Sequence, residues 1–476
     1  MGCVDVTETV QAILQALEES EFEAYVVGGA VRDLLLGTEP HDYDIVTSAS
    51  PDQITGVART KGWRTVENLG RNFGVVVIVI AGVAVETATF RGESYGKDSH
   101  RPEKIWQAHT LREDVLRRDF TVNAMAMDCR GKVYDYVGGR RDLADKRLVT
   151  VGDAASRFQE DALRMFRLCR LVGQLDFLPD TDSIKGLGAA FSRVSGLSLE
   201  RVRYEIERLL VTPAVAKGLD VLVQSGLSEC SCRRKVNGSY EAVLIMPELT
   251  HLVNTPQTKP YHIFDAWIHT LSVVQHTPPD LTVRYAALFH DVGKGLPGIR
   301  GFHDGRLTDY GHDKKSEEIA IQVLTRLGVG PKRVQRVAWL VKNHMKFHSL
   351  ANDSGNDASR WIRQEALSGN FRYTADLVEA FAQEKDLAIA DVIGCGWLFS
   401  STKGTASFGD CLIDMATMMP INTRDLRYSK DLLTLCGPET GECLQNLLRR
   451  VQMGQLENKE EPLQAAAVHW LARKHR

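Results

Sequence analysis

Two aspartates, Asp42 and Asp44, are the residues of this chain best placed to do chemistry. They precede the apolar pair Ile45 and Val46, in a segment that predicts a β-strand. Because alternate residues of a strand point to one face, both carboxylates should face the same spot. Paired carboxylates bind hard divalent cations, and Mg²⁺ prefers carboxylate together with phosphate oxygens. The pair therefore predicts a site where two Mg²⁺ ions promote nucleotidyl transfer.

The stretch just before the aspartates should position a phosphate chain beside them. Residues 25–27 predict a short buried strand that runs into Gly28 and Gly29. A helix-like run follows and ends at Gly37, which fits a left-handed helix cap. Paired glycines let the backbone approach a triphosphate closely and direct N–H groups at it. The aspartate pair and the glycine pair, taken separately, are each also compatible with a role that is only structural. Aspartates often line the solvated face of a strand, and paired glycines often form turns.

The string GGAVRDLLLG followed by HDYDIVT resembles the class II tRNA nucleotidyltransferase and bacterial poly(A) polymerase family. In that family, the residues that match Arg32 and Asp33 help to hold the triphosphate and shape the site. Glu86 would match a third carboxylate that the superfamily often places on a neighbouring strand. A lone acid in a strand can equally face solvent, so both interpretations of Glu86 remain open.

A second motif lies in LRRDFTVNAMAM, residues 116–127, which resembles the RRDFT-x-NA motif of the same family. The resemblance implies that Arg118, Asp119 and Asn123 contact the ribose and phosphates of a bound nucleotide. A ribose 2′-OH both donates and accepts, so an Asp–Arg pair can distinguish ribonucleotides. The alternative is an ordinary helix start with Asp119 near the N-cap. The polar residues 92–116 predict a long loop, a segment that in the family assists the change from adding C to adding A.

Residues 157–171 predict one helix with arginines recurring every third residue. Asp161 and Arg164 are three residues apart, so their side chains should be neighbours on one face. An aspartate accepts and an arginine donates, which matches the amino group and adjacent ring nitrogen of cytosine and adenine. Guanine and uracil present the reverse pattern and would lose about 1–3 kcal/mol per unpaired group. The string also resembles the family's E-D-x-x-R-x-x-R element, which adds Arg167 to the nucleotide-binding residues. A solvated charge stripe is the alternative.

Histidines and aspartates in the second half of the chain predict a second metal site. A histidine, an adjacent His-Asp pair and a distant aspartate in helical context resemble the HD metal-dependent phosphohydrolases. The candidate ligands are His269, His290, Asp291, His312, His344 and Asp386. Two of them, His312 and His344, would suit a binuclear site. Asp386 is preferred over Asp391, since a helix turns residues five apart away from each other. The substrate of such a site stays open.

Composition restricts the class of protein. A chain of 476 residues with 43% hydrophobic and 25% charged residues predicts about three or four ordinary globular modules. Apolar runs are short, and the nine cysteines are scattered, which predicts a cytoplasmic protein with reduced thiols and no membrane partner. The net charge of −3 means that nucleic acid would be bound by a restricted basic surface.

The predicted fold is an α/β head with a mixed sheet, followed by an all-α neck, body and tail. The expected bounds are 1–150 for the head, 151–246 for the neck, 247–395 for the HD body and 396–476 for the tail. The predicted activity is template-independent addition of CCA to tRNA from CTP and ATP, with Mg²⁺ at the head and a second divalent metal in the body. A poly(A) polymerase, a CC-adding or A-adding enzyme, and an HD phosphohydrolase or RNA-binding protein with an inert head are the alternatives.

Overall fold

The computed structural model describes residues 7–66, 74–96, 102–259, 261–352, 358–396 and 401–475. The chain divides into two compact units, Met1–Thr250 and His251–Arg476. Within the described residues, no helix combines the length and the apolar character that crossing a membrane requires.

A mixed seven-stranded sheet forms the first half of the N-terminal unit. The strands in chain order are β1 (Ala24–Val27), β2 (Asp44–Thr47), β3 (Arg64–Val66), β4 (Val75–Ile80), β5 (Val83–Thr89), β6 (Arg91–Tyr95), β7 (Pro102–Gln107), β8 (Met125–Met127) and β9 (Val133–Asp135). The order across the sheet is β3-β4-β5-β2-β1-β8-β9, and β6 and β7 pair separately. Val27, Val46 and Ala126 come from three neighbouring strands and share one apolar cluster, so their face of the sheet is buried.

The register of the central strands brings acidic residues together. Strands β2 and β5 pair in parallel, with Asp44 directly beside Glu86. Strands β4 and β5 form an antiparallel hairpin, as predicted from the sequence. Its turn residues Ala81 and Gly82 both have positive φ, at 50° and 88°. This combination is typical of the tight two-residue turns that match the twist of a hairpin.

Helices cover the sheet and then build the neck. They are α1 (Glu8–Glu19), α2 (Gly29–Leu35), α3 (Pro51–Thr60), α4 (Leu111–Leu116), α5 (Gly139–Ala144), α6 (Ala154–Glu160), α7 (Leu163–Leu175), α8 (Thr181–Ala190), α9 (Leu199–Leu210) and α10 (Val215–Gln224). The helix predicted over 157–171 is interrupted, because Asp161 adopts an extended conformation between α6 and α7. The prediction of one continuous helix was therefore wrong.

Two other sequence-based expectations need correction. The segment 92–116, predicted as a loop, contains β6, β7 and α4, although residues 97–101 lie outside the described residues. The neck, predicted as helical, also contains three strands. Strand β11 (Leu178–Pro179) pairs in parallel with β10 (Arg147–Leu148) at the end of the predicted head, and β12 (Ser231–Val236) forms a hairpin with β13 (Ser239–Leu244). Short paired strands carry too little periodicity to be separated from helices by pattern alone.

The C-terminal unit is mostly helical. Its elements are α11 (Ala266–His276), α12 (Leu281–Phe289), the hairpin β14 (Gly301–His303) and β15 (Arg306–Thr308), α13 (His312–Arg326), α14 (Pro331–Asn352), α15 (Ala358–Leu367), α16 (Thr374–Gly394), α17 (Lys403–Met418), α18 (Lys430–Cys436), α19 (Thr440–Gln452) and α20 (Glu460–Lys474). Helix α17 packs along α16 across the predicted tail boundary. The last three helices share an apolar cluster that includes Leu432, Leu447 and Leu463.

Close approach of α7 and α10 depends on glycine. A Cβ at Gly218 would lie 2.4 Å from the carbonyl oxygen of Cys169 and 3.3 Å from the backbone nitrogen of Gly173. A side chain larger than hydrogen at residue 218 would therefore push the two helices apart, since their backbones already touch. Helix α7 carries the arginines singled out in the sequence, so this contact fixes their position.

Gly218→Ala should lower the free energy of unfolding by about 1–3 kcal/mol, the usual cost of overpacking a core. Denaturant titration of the full chain, followed by tryptophan fluorescence and circular dichroism, measures the change. The matched control is Gly188→Ala, on the exposed side of α8, where a Cβ meets no atom within 4 Å. That variant should be neutral or stabilised by up to about 1 kcal/mol. Equal unfolding midpoints for the two variants would contradict the proposed tight contact.

Candidate functional site

The turn between β1 and α2 opens the candidate site. Gly28 has φ of +75°, a conformation that residues with a Cβ rarely adopt. A Cβ there would lie 3.3 Å from Nη1 of Arg118 and 4.0 Å from Oδ2 of Asp44. Glycine at this position therefore keeps open the space between a guanidinium and a carboxylate. Gly37, predicted as the left-handed cap after α2, also has positive φ.

Asp44 and Glu86, two of the three predicted metal carboxylates, lie side by side in the sheet, and Asp42 lies close enough to influence Asp44. Asp42 and Glu86 are exposed, and Asp44 lies beside Glu86 in the strand register. Loss of solvation raises the pKa of the Asp44 carboxyl, and the nearby negative charge of Asp42 adds to the rise, while Arg118 opposes it. A cation bound beside Asp44 and Asp42 would relieve this repulsion. Among the described residues, the oxygens of Asp42, Asp44 and Glu86 do not all lie within 4.8 Å of one another, so the three carboxylates do not form a closed cation cluster.

The reason given for this grouping was partly wrong. Strand β2 begins at Asp44, so Asp42 precedes the strand and strand alternation does not orient it. Parallel pairing with β5 is what supplies Asp44 with its acidic neighbour, Glu86. The alternation argument could not foresee this register, because pairing between distant strands leaves little trace in a single strand's pattern.

Arg32 joins two other predicted nucleotide-binding residues. It is buried, and its Nε donates to Oδ1 of Asp33 at 2.8 Å. Its Nη1 donates to Oδ1 of Asn123 at 2.7 Å. These bonds link the start of α2 to the segment after α4, so Arg32 holds the frame of the turn as well as supplying positive charge.

Asp114, which was not identified from the sequence, forms ion pairs with two arginines. Its carboxylate is fully buried, with Nη2 of Arg117 at 2.7 Å and Nη2 of Arg118 at 3.0 Å. Burial alone would raise the pKa of Asp114, but Arg118 and then Arg117 outweigh it and hold the pKa below its ordinary value. The spacing of an acid three and four residues before two arginines on a helix was the available signal.

The buried carboxylate of Asp119 forms an ion pair with the half-buried Arg167. Nε and Nη2 of Arg167 lie 2.7 and 2.6 Å from Oδ2 of Asp119, and the Phe120 N–H donates to Oδ1 at 2.9 Å. Burial opposes ionisation, yet the charges of Arg167 and Arg164 lower the pKa of Asp119 to about 2. Two of the predicted nucleotide-binding residues are therefore bonded to each other.

Asp161 and Arg164 are close in space but not in the predicted way. Nη1 of Arg164 donates to Oε2 of Glu160 at 2.8 Å, and Nη2 donates to the carbonyl oxygen of Arg117 at 2.9 Å. Oδ1 of Asp161 accepts from the Leu163 N–H at 3.0 Å. Burial raises the pKa of Asp161 to about 6, against the lowering effect of Arg164. Glu160, which the sequence analysis overlooked, is thus a direct partner of the predicted base-reading arginine.

The arginine stripe is not a solvated face. Arg164 and Arg170 are buried, and Nε of Arg170 lies 2.6 Å from Oε2 of Glu205 on α9. Arg170 therefore binds the neck helices together. The solvated alternative for this stripe is wrong, because buried guanidinium groups are retained where carboxylates and carbonyls receive their N–H groups.

A second site lies inside the C-terminal unit. Six buried side chains from α11, α13, α14, α16 and the two residues just after α12 point their metal-binding atoms at one another. Nε2 of His269 lies 3.1 Å from Oδ1 of Asp391 and 3.2 Å from Nε2 of His290. The six are His269, His290, Asp291, His312, His344 and Asp391.

Asp291 lies between the two halves of this cluster. Its Oδ2 is 3.3 Å from Nε2 of His269, and its Oδ1 is 3.2 Å from Nε2 of His312. Nε2 of His312 lies 3.2 Å from Nε2 of His344. The grouping gives two sets of three ligand atoms joined by one bridging carboxylate, a donor set that fits a pair of cations.

Backbone carbonyls hold three of the imidazoles in place. Nδ1 of His290, His312 and His344 each lies within hydrogen-bond distance of a backbone carbonyl, at 2.8, 2.7 and 2.6 Å. A protonated Nδ1 that donates to a carbonyl leaves Nε2 with a free lone pair for a cation. The cluster therefore fits metal binding on its own geometry.

The preference for Asp386 over Asp391 was wrong. Asp391 reaches the histidines, and its Oδ2 lies 2.9 Å from Nε2 of His348. Five residues of helix amount to about 140° beyond a full turn, so α16 points Asp386 elsewhere. Burial raises the pKa of Asp386, with Lys385 opposing the rise and Asp280 adding to it. The helix that carries the ligand was predicted correctly, but its rotation was not.

A cavity of about 990 Å³ opens beside this cluster. Lys294 and His348, which the sequence analysis missed, line it together with Arg306 and Tyr310. Nζ of Lys294 lies 2.6 Å from Oδ2 of Asp291. The available signal was the position of Lys294 three residues after Asp291 and of His348 four residues after His344. Cations at the rim of such a cavity suit an anionic ligand.

Two family descriptions match this chain. Residues 24–149 match the Poly A polymerase head domain, and residues 266–391 match the HD domain. The chain therefore contains both domains, and the resemblance drawn from the sequence motifs is confirmed at the level of domains. The mixed-sheet head followed by mostly helical modules is confirmed as well.

Two relatives similar in sequence to this chain are CCA-adding enzymes. The CCA-adding enzyme of Bacillus pumilus (strain SAFR-032) is 38% identical over 264 residues, which cover 56% of this chain and 62% of the relative. The CCA-adding enzyme of Geobacillus sp. (strain WCH70) is 43% identical over 215 residues, covering 45% and 52%. The chain thus spans about half to three-fifths of the length of these curated relatives.

Solved structures share the fold over more of the chain. The crystal structure of Bacillus stearothermophilus CCA-adding enzyme in complex with CTP has a TM-score of 0.64 at 24% identity, covering 98% of this chain and 97% of that one. A tRNA nucleotidyltransferase complexed with a primer tRNA and an incoming ATP analog has a TM-score of 0.51 at 21% identity, covering 80% and 96%. At these identities the likeness shows the fold alone.

Asp119→Asn should lower the free energy of unfolding at pH 7 by about 2 kcal/mol, because a pKa depressed from its ordinary value to about 2 stabilises the folded state above pH 4. The difference between wild type and variant should shrink as the pH falls from 4 toward 2, where the wild-type carboxyl becomes protonated. Urea titrations across this pH range test it. Asp182→Asn, at a carboxylate 86% exposed, is the control and should show no such trend. A pH-independent difference would contradict the ion-pair explanation.

Proposed function

We propose that the N-terminal unit adds CCA to the 3′ end of tRNA from CTP and ATP, without a template and with release of pyrophosphate. The observation that carries the proposal is the position of Asp44 beside the Gly28 turn and Arg118, in register with Glu86 on the neighbouring strand. The domain match and the names of the relatives support the same activity.

The residues of the head suggest a division of roles. Asp42 and Asp44, with Glu86 beside them, would hold two Mg²⁺ ions, which when bound activate the attacking 3′-OH and stabilise the leaving pyrophosphate. Gly28 has no side chain, which leaves space for the triphosphate, and Arg118 places a positive charge next to this space. The paired Asp119 and Arg167 would receive the ribose.

Base selection is assigned to Asp161 and Arg164. Arg164 would donate to the ring nitrogen of cytosine or adenine, and Asp161 would accept from the amino group. The bond from Arg164 to Glu160 means that the arginine has a protein partner while no base is bound. GTP and UTP present the opposite donor pattern, so they would leave buried groups unpaired.

Acceptor RNA would be bound through backbone and shape. An A-form helix hides its base edges in a deep, narrow groove, so phosphates and 2′-hydroxyls are the accessible groups. The net charge of −3 restricts the contact to local basic surface, which we assign to neck and tail helices. Helix α19 ends with Arg449 and Arg450, and α20 with Arg473 and Lys474. Affinity for tRNA should fall with salt.

Asp44→Asn should reduce nucleotide incorporation by about a hundredfold or more, since the lost carboxylate acts on charge that develops in the transition state. Glu86→Gln should cause a smaller loss. The assay uses tRNA ending before C, before CC and before CCA, with each NTP supplied separately, which also separates CCA addition from CC, A or poly(A) addition. Asp182→Asn is the control. Incorporation by Asp44→Asn at the wild-type rate would refute the proposed site.

The C-terminal unit supports a second candidate function, metal-dependent hydrolysis of phosphate esters. The six-residue cluster offers two adjacent cation sites, and the cavity beside it carries Lys294 and Arg306 for an anionic substrate. Bound divalent ions would supply a hydroxide nucleophile at neutral pH. His348, bonded to Asp391, lies at the cavity wall where a proton donor to the leaving group is needed.

Asp391→Asn should remove bound metal from the C-terminal unit, because it deletes a ligand from the His269 and His290 half of the cluster. The control is Asp386→Asn on the same helix α16, about 140° around the helix from Asp391. It should retain the wild-type amount of bound metal. Elemental mass spectrometry on the full chain after loading with Mn²⁺ measures the difference, and hydrolysis of a generic phosphodiester gives a second readout. Equal metal loss in both variants would contradict the assignment of Asp391.

A further inference from the structure

One imidazole of the cluster differs from the other three. His269 is 0% exposed, and its Nδ1 has no hydrogen-bond partner among the described residues, whereas Nδ1 of His290, His312 and His344 each meets a carbonyl. Its Nε2 faces Asp391 and His290. A buried polar atom without a partner is destabilising, so a ligand bound at Nδ1 of His269 would stabilise the fold.

Two further donors, His262 and Cys395, lie beside the His269 ring. The ring of His262 is 4.7 Å from the ring of His269, and Nδ1 of His262 is also buried without a partner. Cys395 supplies a thiol. One ligand atom from each of the three residues lies within 4.8 Å of the others. This group is distinct from the two sets already described, and it shares His269 with one of them.

The fold brings the thiol and the second imidazole together. The Ile263 N–H donates to the carbonyl oxygen of Cys395 at 3.3 Å, which ties the segment before α11 to the end of α16. Gly394 makes the approach feasible, because a Cβ there would lie 2.5 Å from Cγ2 of Val273 and 3.2 Å from Nδ1 of His269. Any side chain at residue 394 would displace the end of α16 from His269.

We propose that His262, His269 and Cys395 form a third metal site, which binds Zn²⁺ and shares the His269 imidazole with the adjacent metal pair. Two nitrogens and one sulfur are a donor set that zinc favours, and three protein ligands leave a fourth position for water. His262 and Cys395 both line the cavity, so solvent reaches that position. Binding releases the thiol proton of Cys395 and the Nδ1 proton of His269 to solvent.

The donor types also separate this site from its neighbours. Thiolate and imidazole select Zn²⁺ and similar soft or borderline ions, whereas carboxylate-rich sites accept Mg²⁺ and Mn²⁺. The third site should therefore remain empty in protein loaded with Mg²⁺ or Mn²⁺ and fill with Zn²⁺ or Co²⁺. Its occupancy is independent of nucleotide addition in the N-terminal unit, so the two proposals fail separately.

The test compares the full chain with Cys395→Ser and His262→Gln after chelation, reloading with Co²⁺ or Zn²⁺ and removal of free metal. Wild type should show a near-ultraviolet thiolate-to-cobalt charge-transfer band and contain one more zinc per chain than Cys395→Ser. His262→Gln should lose the band while keeping Cys395. Cys411→Ser, at an exposed cysteine on α17, is the matched control and should behave as wild type.

Circular dichroism of each variant should match that of the wild type, which checks that the variant is folded. A wild-type protein without the thiolate band, and with the same zinc content as Cys395→Ser, would overturn the third site and assign the unpartnered Nδ1 atoms to water. A band that persists in Cys395→Ser would overturn it as well. Absence of bound metal from every protein would overturn both this site and the adjacent pair.

Discussion

The ion pair between the buried Asp119 and the half-buried Arg167 connects the sheet of the N-terminal unit to its neck. Asp119 follows α4, and Arg167 lies in the middle of α7, so the pair joins the part that carries the carboxylates to the helix proposed to read the base. Arg164 reinforces the junction through the carbonyl oxygen of Arg117. Buried charges are tolerated where each is matched, and a missing partner would leave an uncompensated charge inside the protein. The relative position of the carboxylates and α7 in the candidate nucleotide site therefore depends on both partners of this ion pair.

Patterns within one element were predicted well from the sequence. The strand, glycine turn and helix of residues 24–37 appear as expected, and the hairpin of β4 and β5 follows from its β-branched runs and its turn residues. The Poly A polymerase head and HD domains were both recognised from short motifs. Local order of this kind is encoded by periodicity and turn chemistry, which a single sequence displays directly.

Relations between distant elements were not predictable in the same way. The extended residue Asp161 breaks a helical pattern that looks continuous, because its side chain bonds the backbone two residues on and competes with the helix. The rotation of α16, which selects Asp391, depends on packing against α11 and α14. Glu160 became visible only through its partner in space, Arg164. Charged residues in a sequence do not reveal whether they face water or each other.

The parallel register of β2 and β5 has a consequence for how this protein can change. Side chains along a strand alternate between faces, so one residue inserted into β5 before Glu86 would carry that carboxylate through the sheet to the opposite side. The composition and the apolar content of the strand would hardly alter. Lineages descended from this chain can lengthen the β4–β5 turn freely but must preserve the count of residues from Val83 to Glu86. Gaps in an alignment of such descendants would therefore gather at Ala81 and Gly82, and a gap inside the strand would mark a lineage that has abandoned the third acid.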